Sequence, residues 1–441
     1  MRIVNSKKIG RGAVEKILTK KSFDEVELSP KIREANKKIF GEDLSAVEIV
    51  RRIVADVRER GDVAVIDWTR KIDGVELENF AVDAEKISAA ENFIKPEVFA
   101  SLKVAAENIR RFHAEQLPRS WITYRGKNSL LGQAIIPLER VGVYVPGGTA
   151  AYPSSVLMNI IPAKVAGVRE IIMCTPNANP HVLAAAKLAG VDKIFKIGGA
   201  QAISAMAFGT EQIPRVNKIV GPGNIFVTLA KKEVYGHCDI DMLAGPSEIL
   251  IIADEFANPV YAAADMLSQA EHDPLACSIV ITTSAELAEK ISAQVDEQLS
   301  KLPREEIAAT SIKSNGLIVV AENLDEAANF ANFSAPEHLE ILTREPFALL
   351  PKIKNAGAIF LGAYSPEPLG DYLAGPNHVL PTGGTAKFYS VLNVETFLKR
   401  TSLISYTRED LLGAADDVIR LAEAEGLQAH AEAIRRREET L

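Results

Sequence analysis

Gln269-Ala-Glu-His272 comes near the end of a predicted helix. Residues three apart share a helix face, so an amide oxygen and an imidazole there could meet one metal ion, although a solvated polar face explains the same pair. Ser334-Ala-Pro-Glu337-His338-Leu-Glu340 sets a carboxylate beside an imidazole, a pairing suited to moving a proton in either direction. Pro336 predicts the first turn of a helix, which would make Glu337 a helix N-terminal charge and His338 a surface residue. The residues alone leave both readings open. Gly370 to Gly384 (GDYLAGPNHVLPTGG) crowds Asp371, Asn377 and His378 into a Gly- and Pro-rich stretch expected not to be helical, the kind of rigid loop that carries sites. Histidines stand at 113, 181, 237, 272, 338, 378 and 430; His430, in a predicted C-terminal helix after Glu425, reads by itself as a surface residue.

The elements that must position these residues fall into two sets. The first 130 residues read mainly helical, with apolar spacings of three and four over 44–60 and 97–115 and a short strand-like piece at 75–82. From Pro137, apolar runs alternate with helical segments. Strands at 141–145, 170–174, 193–197 and 218–220 each end in a Gly or Pro turn, and helices are predicted over 154–168 and 180–189. Strand, turn, helix, repeated, predicts a parallel sheet with crossover helices, which binds ligands at the carboxyl ends of its strands. A second α/β set follows, with strands at 248–252, 278–282, 316–320 and 358–361 and helices at 259–272, 286–302 and 324–333. The fold class expected is therefore α/β: two Rossmann-like parallel-sheet domains with a helical N-terminal arm and a C-terminal helical tail. The boundaries drawn are an arm at 1–29, a discontinuous domain of 30–140 plus 247–392 carrying the metal and catalytic loops, an inserted domain at 141–246, and a tail at 393–441. The tail is charged and too poor in apolar residues for a core of its own, so it should pack on something else.

The chain has 441 residues and a net charge of −8, with 47% hydrophobic residues. That balance belongs to a globular protein and argues against a nucleic-acid or anionic-membrane partner, which would need a basic face. No stretch is apolar enough to span a bilayer, and the N-terminus has no signal-peptide core. Cys174, Cys238 and Cys277 are widely spaced and form no metal or disulfide framework, which fits a reducing cytoplasm. Cys174, at a strand end, could be a nucleophile toward an aldehyde or simply a small buried residue; no neighbour in sequence would lower its pKa. No GxGxxG follows a strand, so a dinucleotide would meet an atypical sheet, through backbone amides of Ile197-Gly198-Gly199-Ala200-Gln201 or Val220-Gly221-Pro222-Gly223-Asn224.

Taken together, these segments resemble the histidinol dehydrogenase family over nearly the whole chain. The stretches that carry the resemblance are Phe112-His113-Ala-Glu-Gln116, VGVYVPGGTAAYPSSVLMN (141–159), GGAQAI (198–203), GPGN (221–224), DMLAGPSEIL (241–250), DMLSQAEHD (265–273), SAPEHLE (334–340), GDYLAGPNHVLPTGG (370–384), and Glu425 with His430. The resemblance implies zinc ligands Gln269, His272, Asp371 and His430, and a proton-transfer pair of Glu337 and His338. It implies substrate contacts from Ser247, Gln269, His272, His338, Asp371, His378, Glu425 and His430, and NAD contacts from Tyr144, Gln201 and Asn224. It also implies a homodimer whose C-terminal tail reaches into the other subunit's site. The activity implied is a two-step NAD-dependent oxidation of L-histidinol, through L-histidinaldehyde, to L-histidine, with zinc holding the substrate. Two rival readings are a paralogue that oxidises another small polar alcohol on the same scaffold, and a metal-containing binding protein without turnover. His113, Gln116 and Glu425 resemble the histidinol branch, and mere binding would not need the Glu337-His338 pair.

Overall fold

A computed structural model describes residues 1–20, 28–147 and 152–439. Residues 21–27 of the expected arm, Gly148 to Ala151 within the stretch 141–159, and residues 440–441 of the tail lie outside the described residues. The chain divides into two compact units, Met1–Gln116 with Leu138–Phe397, and Leu117–Pro137 with Leu398–Leu441.

The first unit holds two parallel sheets, each covered by helices on both faces. In one, strands run in the order Lys193–Phe195, Glu170–Cys174, Arg140–Tyr144, Lys218–Val220, Asp239–Ile240. After the carboxyl ends of the first four strands in sequence come helices Pro153–Ala166, Pro180–Ala189, Gly199–Phe208 and Ile225–Val234. Their limits are written in the sequence. Asn179 caps Val182 from just before Pro180, and Gly190 ends that helix in the left-handed region. One face of the sheet (Tyr144, Ile172, Cys174, Ile219) packs with helices Ala46–Arg60, Asp62–Asp73, Gly199–Phe208 and Ile225–Val234 in one core. Helix Ala46–Arg60 begins at a Ser45–Glu48 capping box, and its stripe of Ile49, Val50, Ile53, Val54 and Val57 is buried. Residues 46–73 thus belong to the core of this sheet, where the sequence reading had put 30–140 with 247–392; the stripe fits the helices of this sheet. Of the strand expected at 75–82, only a bridge between Ala81 and Phe195 forms.

The second sheet runs Arg2–Asn5, Leu317–Val320, Cys277–Thr282, Glu248–Ala253, His338–Leu342, Ala358–Leu361, all parallel. Alternate residues enter opposite cores. Ile249, Ile251 and Val280 meet helices Pro259–Ala270, Ala285–Leu299 and Glu305–Asn315, whereas Leu250, Ile252, Leu339 and Ile341 meet helices Arg11–Leu18 and Leu324–Ser334. Burial on both faces is why these strands are continuous apolar runs. The expected helical arm opens instead with a strand, Arg2–Asn5, whose alternating Ile3 and Val4 pair it to the sheet edge.

The second unit joins antiparallel strands Trp121–Arg125, Ser129–Pro137 and Leu398–Ser405 to helices Arg408–Ala424 and Gln428–Glu439. The tail is therefore not wholly helical: Leu398–Ser405 is a β-strand because residues 129–137 offer it a pairing edge. Asp410, in the first turn of its helix, accepts hydrogen bonds from the Lys127 and Ser129 amides and the Ser129 and Thr407 hydroxyls. Among the described residues, the apolar side chains this unit buries are those of Ala415, Ala422 and Ala431. Trp121, Ile122, Tyr124, Ile404 and Leu421 are left more than half exposed.

Candidate active site

Helix Leu324–Ser334 ends at Ala335, held in the left-handed region (φ 48°), and the chain turns through Pro336 and Glu337 directly into strand His338–Leu342. No helix starts at Pro336, contrary to the expectation above. The run His-Leu-Glu-Ile-Leu enters the sheet because Glu248–Ala253 and Ala358–Leu361 flank it on both sides. Glu337 and His338 are accordingly buried at the amino end of a central strand. Glu248, across from Glu337, holds both. Its amide donates to Glu337 Oε2 (2.8 Å), and its carbonyl lies 3.0 Å from His338 Nδ1. A carbonyl only accepts, so Nδ1 carries the hydrogen and Nε2 is the imidazole atom left for chemistry. Nε2 is buried with no hydrogen-bond partner. It points toward Asp371 Oδ1 at 3.6 Å, too long for a hydrogen bond but close for two charges.

Asp371 lies on a short helix, Glu367–Leu369, that widens into a π-helical turn over Gly370–Ala374 and stops at Gly375 (φ 112°). Part of the stretch expected to be non-helical is therefore helical, because its own prolines, 376 and 381, come only after the turn has ended, and Pro368 stands at the helix start where it is tolerated. The charges here decide one another. Burial pushes the Glu337 carboxyl up to about 8, against the pull of His338. Burial draws His338 down, but Glu337 and Asp371 outweigh it and hold the imidazole up at about 10. Asp371 is likewise raised by burial, yet His338 and His378 bring it to about 2.

A cation would find donors at this point. The ligand atoms of His338, Glu367 and Asp371 lie within 4.8 Å of one another. Gln269, in helix Pro259–Ala270, presents a buried Oε1 with no partner, an arrangement that costs roughly 1–3 kcal/mol unless something binds it. His272, just past that helix, is pulled down by burial and feels Asp371 and His338. The mixed oxygen and nitrogen set suits zinc. A cation on Asp371 would also cancel one of the two carboxylates that keep His338 protonated.

Residues not singled out from sequence support this centre. Burial and Asp371 raise Glu367 to about 7, and its Oε2 accepts from Ser268 (3.0 Å). Its amide donates to Glu340 Oε1 (2.7 Å). Glu340, fully buried, is pushed well above its ordinary range by burial and by Asp265. Lys20, raised overall by Glu248 against burial, ion-pairs with Glu248 Oε1 at 2.7 Å. The signal was available: Glu248 and Glu340 are lone carboxylates in otherwise apolar strand runs.

His378 Nδ1 bonds the Asp371 carbonyl (3.0 Å), and its Nε2 faces Ser155 Oγ at 3.4 Å, so it belongs to the same centre. Ser247 stands just before the strand that holds the pair, its carbonyl taken by Cys277. Asn377 is structural: it donates to the Met158 carbonyl and lies beside buried His113. Glu425 and His430 belong to the second unit, both solvent-exposed, and are not among the side chains the first unit gathers. Tyr144, Gln201 and Asn224 stand at the carboxyl edge of the five-stranded sheet. Tyr144 accepts from the Gly199 amide (3.1 Å), and Asn224 caps helix Ile225–Val234. Gln201 donates to Asp73 (3.2 Å), while its buried Oε1 has no partner. That orphaned acceptor at a helix start leaves a place for a ligand donor. The amides of Gly199 and Gly221 are already taken, by Tyr144 and Asp241, so the direct backbone approach expected of them is closed. Cys174 is fully buried, and burial pushes its thiol far up, which removes it as a nucleophile.

A profile of the histidinol dehydrogenase family matches residues 37–438. The histidinol dehydrogenase of Heliobacterium mobile is 55% identical over 392 residues, 87% of this chain and 92% of its own. That of Aquifex aeolicus is 56% identical over 388 residues, 88% and 91%. The crystal structure of histidinol dehydrogenase from Elizabethkingia anophelis superposes with a TM-score of 0.90 at 35% identity, covering 100% of this chain and 98% of the other. No helix among the described residues is long and apolar enough to cross a membrane.

Proposed function

Because the chain belongs to the histidinol dehydrogenase family, and is thus an oxidoreductase of histidine biosynthesis, we propose that it oxidises L-histidinol through L-histidinaldehyde to L-histidine with Glu337 and His338 moving the protons. The observation that carries this reading is the unpartnered Nε2 of His338, its other nitrogen committed to the Glu248 carbonyl and Glu337 anchored beside it. Gln269, His272 and Asp371, with His430, would hold zinc, and Tyr144, Gln201 and Asn224 would hold NAD; the first supplies a fixed anchor for the substrate's nitrogens and the second a hydride acceptor.

The chain's own residues do the rest. Once the imidazole has released the proton that Glu337 and Asp371 favour, His338 Nε2 takes the hydroxyl proton, which makes the carbinol carbon a hydride donor. Glu337, its pKa brought near neutrality by burial, then takes a proton from the water that adds to the aldehyde. His338 returns its first proton to the aldehyde oxygen as the hydrate forms, and so is free to accept a hydroxyl proton again when the hydrate is oxidised. Ser247, His378 and Glu425 orient the substrate, and the buried surroundings keep the aldehyde from side reactions.

Two further features extend the reading. The tail unit buries alanines and exposes Trp121, Ile404 and Leu421, so a second copy of the chain is the natural cover, and with it a homodimer in which Glu425 and His430 complete the partner's site. The three cysteines are free, which accords with the cytoplasmic location proposed for the chain. The test is NADH formation from purified protein with L-histidinol and NAD. Two NADH per histidinol, lost on chelation and restored by zinc, is the expected result; one NADH, or none from the zinc-loaded protein, overturns the reading.

A further inference from the structure

Lys231 is a buried cation that the chemistry above does not use. Its side chain is 3% exposed and that of its partner Asp241 0%. Lys231 lies on helix Ile225–Val234, and Asp241 directly follows strand Asp239–Ile240. Gly221 sits between them, with both of its peptide groups taken: its N–H donates to Asp241 Oδ2 (2.8 Å), and its carbonyl accepts from Lys231 Nζ (3.0 Å). Asp241 Oδ1 accepts from Lys231 and from the Met242 amide. Gly221 has φ +111°, and a Cβ there would lie 2.1 Å from the Tyr144 carbonyl oxygen. One ion pair therefore grips a turn that presses on Tyr144 on one side and leads into Asn224 on the other.

A pair so completely out of water stabilises a fold poorly, because desolvation offsets most of the attraction and apolar side chains of like volume serve as well. What it does fix is geometry, through charge-assisted bonds to both ends of one glycine. Since the Gly221 amide is spent on Asp241, the turn contributes position rather than a backbone donor.

We propose that the Lys231–Asp241 pair is a positioning device for the dinucleotide, holding the Gly221–Asn224 turn in the conformation that presents Tyr144 and Asn224 to NAD without touching it. The proposal rests on the reading that Tyr144, Gln201 and Asn224 face NAD. Loss of the pair loosens the cofactor side of the site and leaves the histidinol side, built on the other sheet, as it was.

The test compares wild type with Lys231→Met and with Lys231→Met/Asp241→Asn, in which no charge is left buried alone. Equilibrium NAD binding is read by calorimetry, beside KM and kcat for NAD and the affinity for L-histidinol. Both variants should show the NAD dissociation constant and KM raised about tenfold or more, with kcat changed by less than about threefold and histidinol affinity unchanged. Folded variants that bind NAD like wild type overturn the positioning role. So does failure of both variants to fold, which would make the pair a stabiliser of the domain. If Tyr144→Phe and Asn224→Ala also leave NAD binding at the wild-type level, the NAD reading itself falls, a separate outcome.

Discussion

In the proposed reaction Glu337 stays buried and still changes its charge, and its surroundings suit both needs: burial raises its pKa to about 8 while the Glu248 amide keeps its oxygen in place. Glu337→Gln keeps that hydrogen bond and removes only the proton exchange. Turnover of L-histidinaldehyde to histidine should fall about 10²–10⁴-fold, with histidinol binding retained in equilibrium titration. Gln269 offers a cleaner question, since its Oε1 is buried and alone. Gln269→Met fills similar space and deletes an acceptor that nothing in the chain satisfies, so the metal-free protein should melt no lower than wild type. Zinc retained per chain after gel filtration should drop well below one; full zinc content would remove Gln269 from the ligand set.

At the scale of elements, the pair depends on what lies against its backbone. A Cβ on Gly357 would sit 2.6 Å from the Glu337 carbonyl oxygen, at the start of the neighbouring strand. Gly357→Ala must therefore shift backbone rather than a flexible side chain. Turnover should fall although residue 357 is no substrate contact, and a melting scan should show a loss of about 1–3 kcal/mol. In the second unit, the Ser129 hydroxyl and the Lys127 amide hold the Asp410 carboxyl at about 2. A depressed carboxylate stabilises fully above its unfolded pKa near 4 and loses that stabilisation as pH falls toward about 2. Asp410→Asn should thus melt below wild type at pH 7, with the gap narrowing below about pH 4. Much of this scale was legible beforehand. The helix Pro180–Ala189 follows from Asn179 and Gly190, and the parallel sheets from apolar runs ending in Gly and Pro. The strand at His338 was not, because Pro336 serves equally before a helix or a strand and only the flanking strands decide. Glu367, Lys20 and Asp265 escaped for a related reason: a lone charged residue looks solvated until the fold buries it.

The whole molecule poses the question of where Glu425 and His430 act. If each tail completes the other subunit's centre, Glu337→Gln and His430→Ala lesions complement one another. Each homodimer is inactive, whereas a hybrid has one site with both lesions and one with none. Co-expressed in equal amounts, the pair should recover about one quarter of wild-type activity, since about half the dimers are hybrid with one intact site each. No recovery, in a preparation shown by mass spectrometry to contain hybrids, would place the tail in its own subunit's centre.

The edge strand Arg2–Asn5 has a consequence for how the chain is made. It is synthesised well before its neighbour Leu317–Val320, which emerges more than 300 residues later, so the pairing of Arg2 with Leu317 and the bond from Ser6 to Glu326 must wait until then. The five-stranded sheet, all within residues 140–240, can close while synthesis continues. The sheet that carries Glu337 and His338 cannot. Translation therefore completes the five-stranded sheet before the six-stranded one, with the strand Arg2–Asn5 waiting for its neighbour meanwhile. In a refolding experiment, protection of the Leu317–Val320 amides should trail that of Arg140–Tyr144.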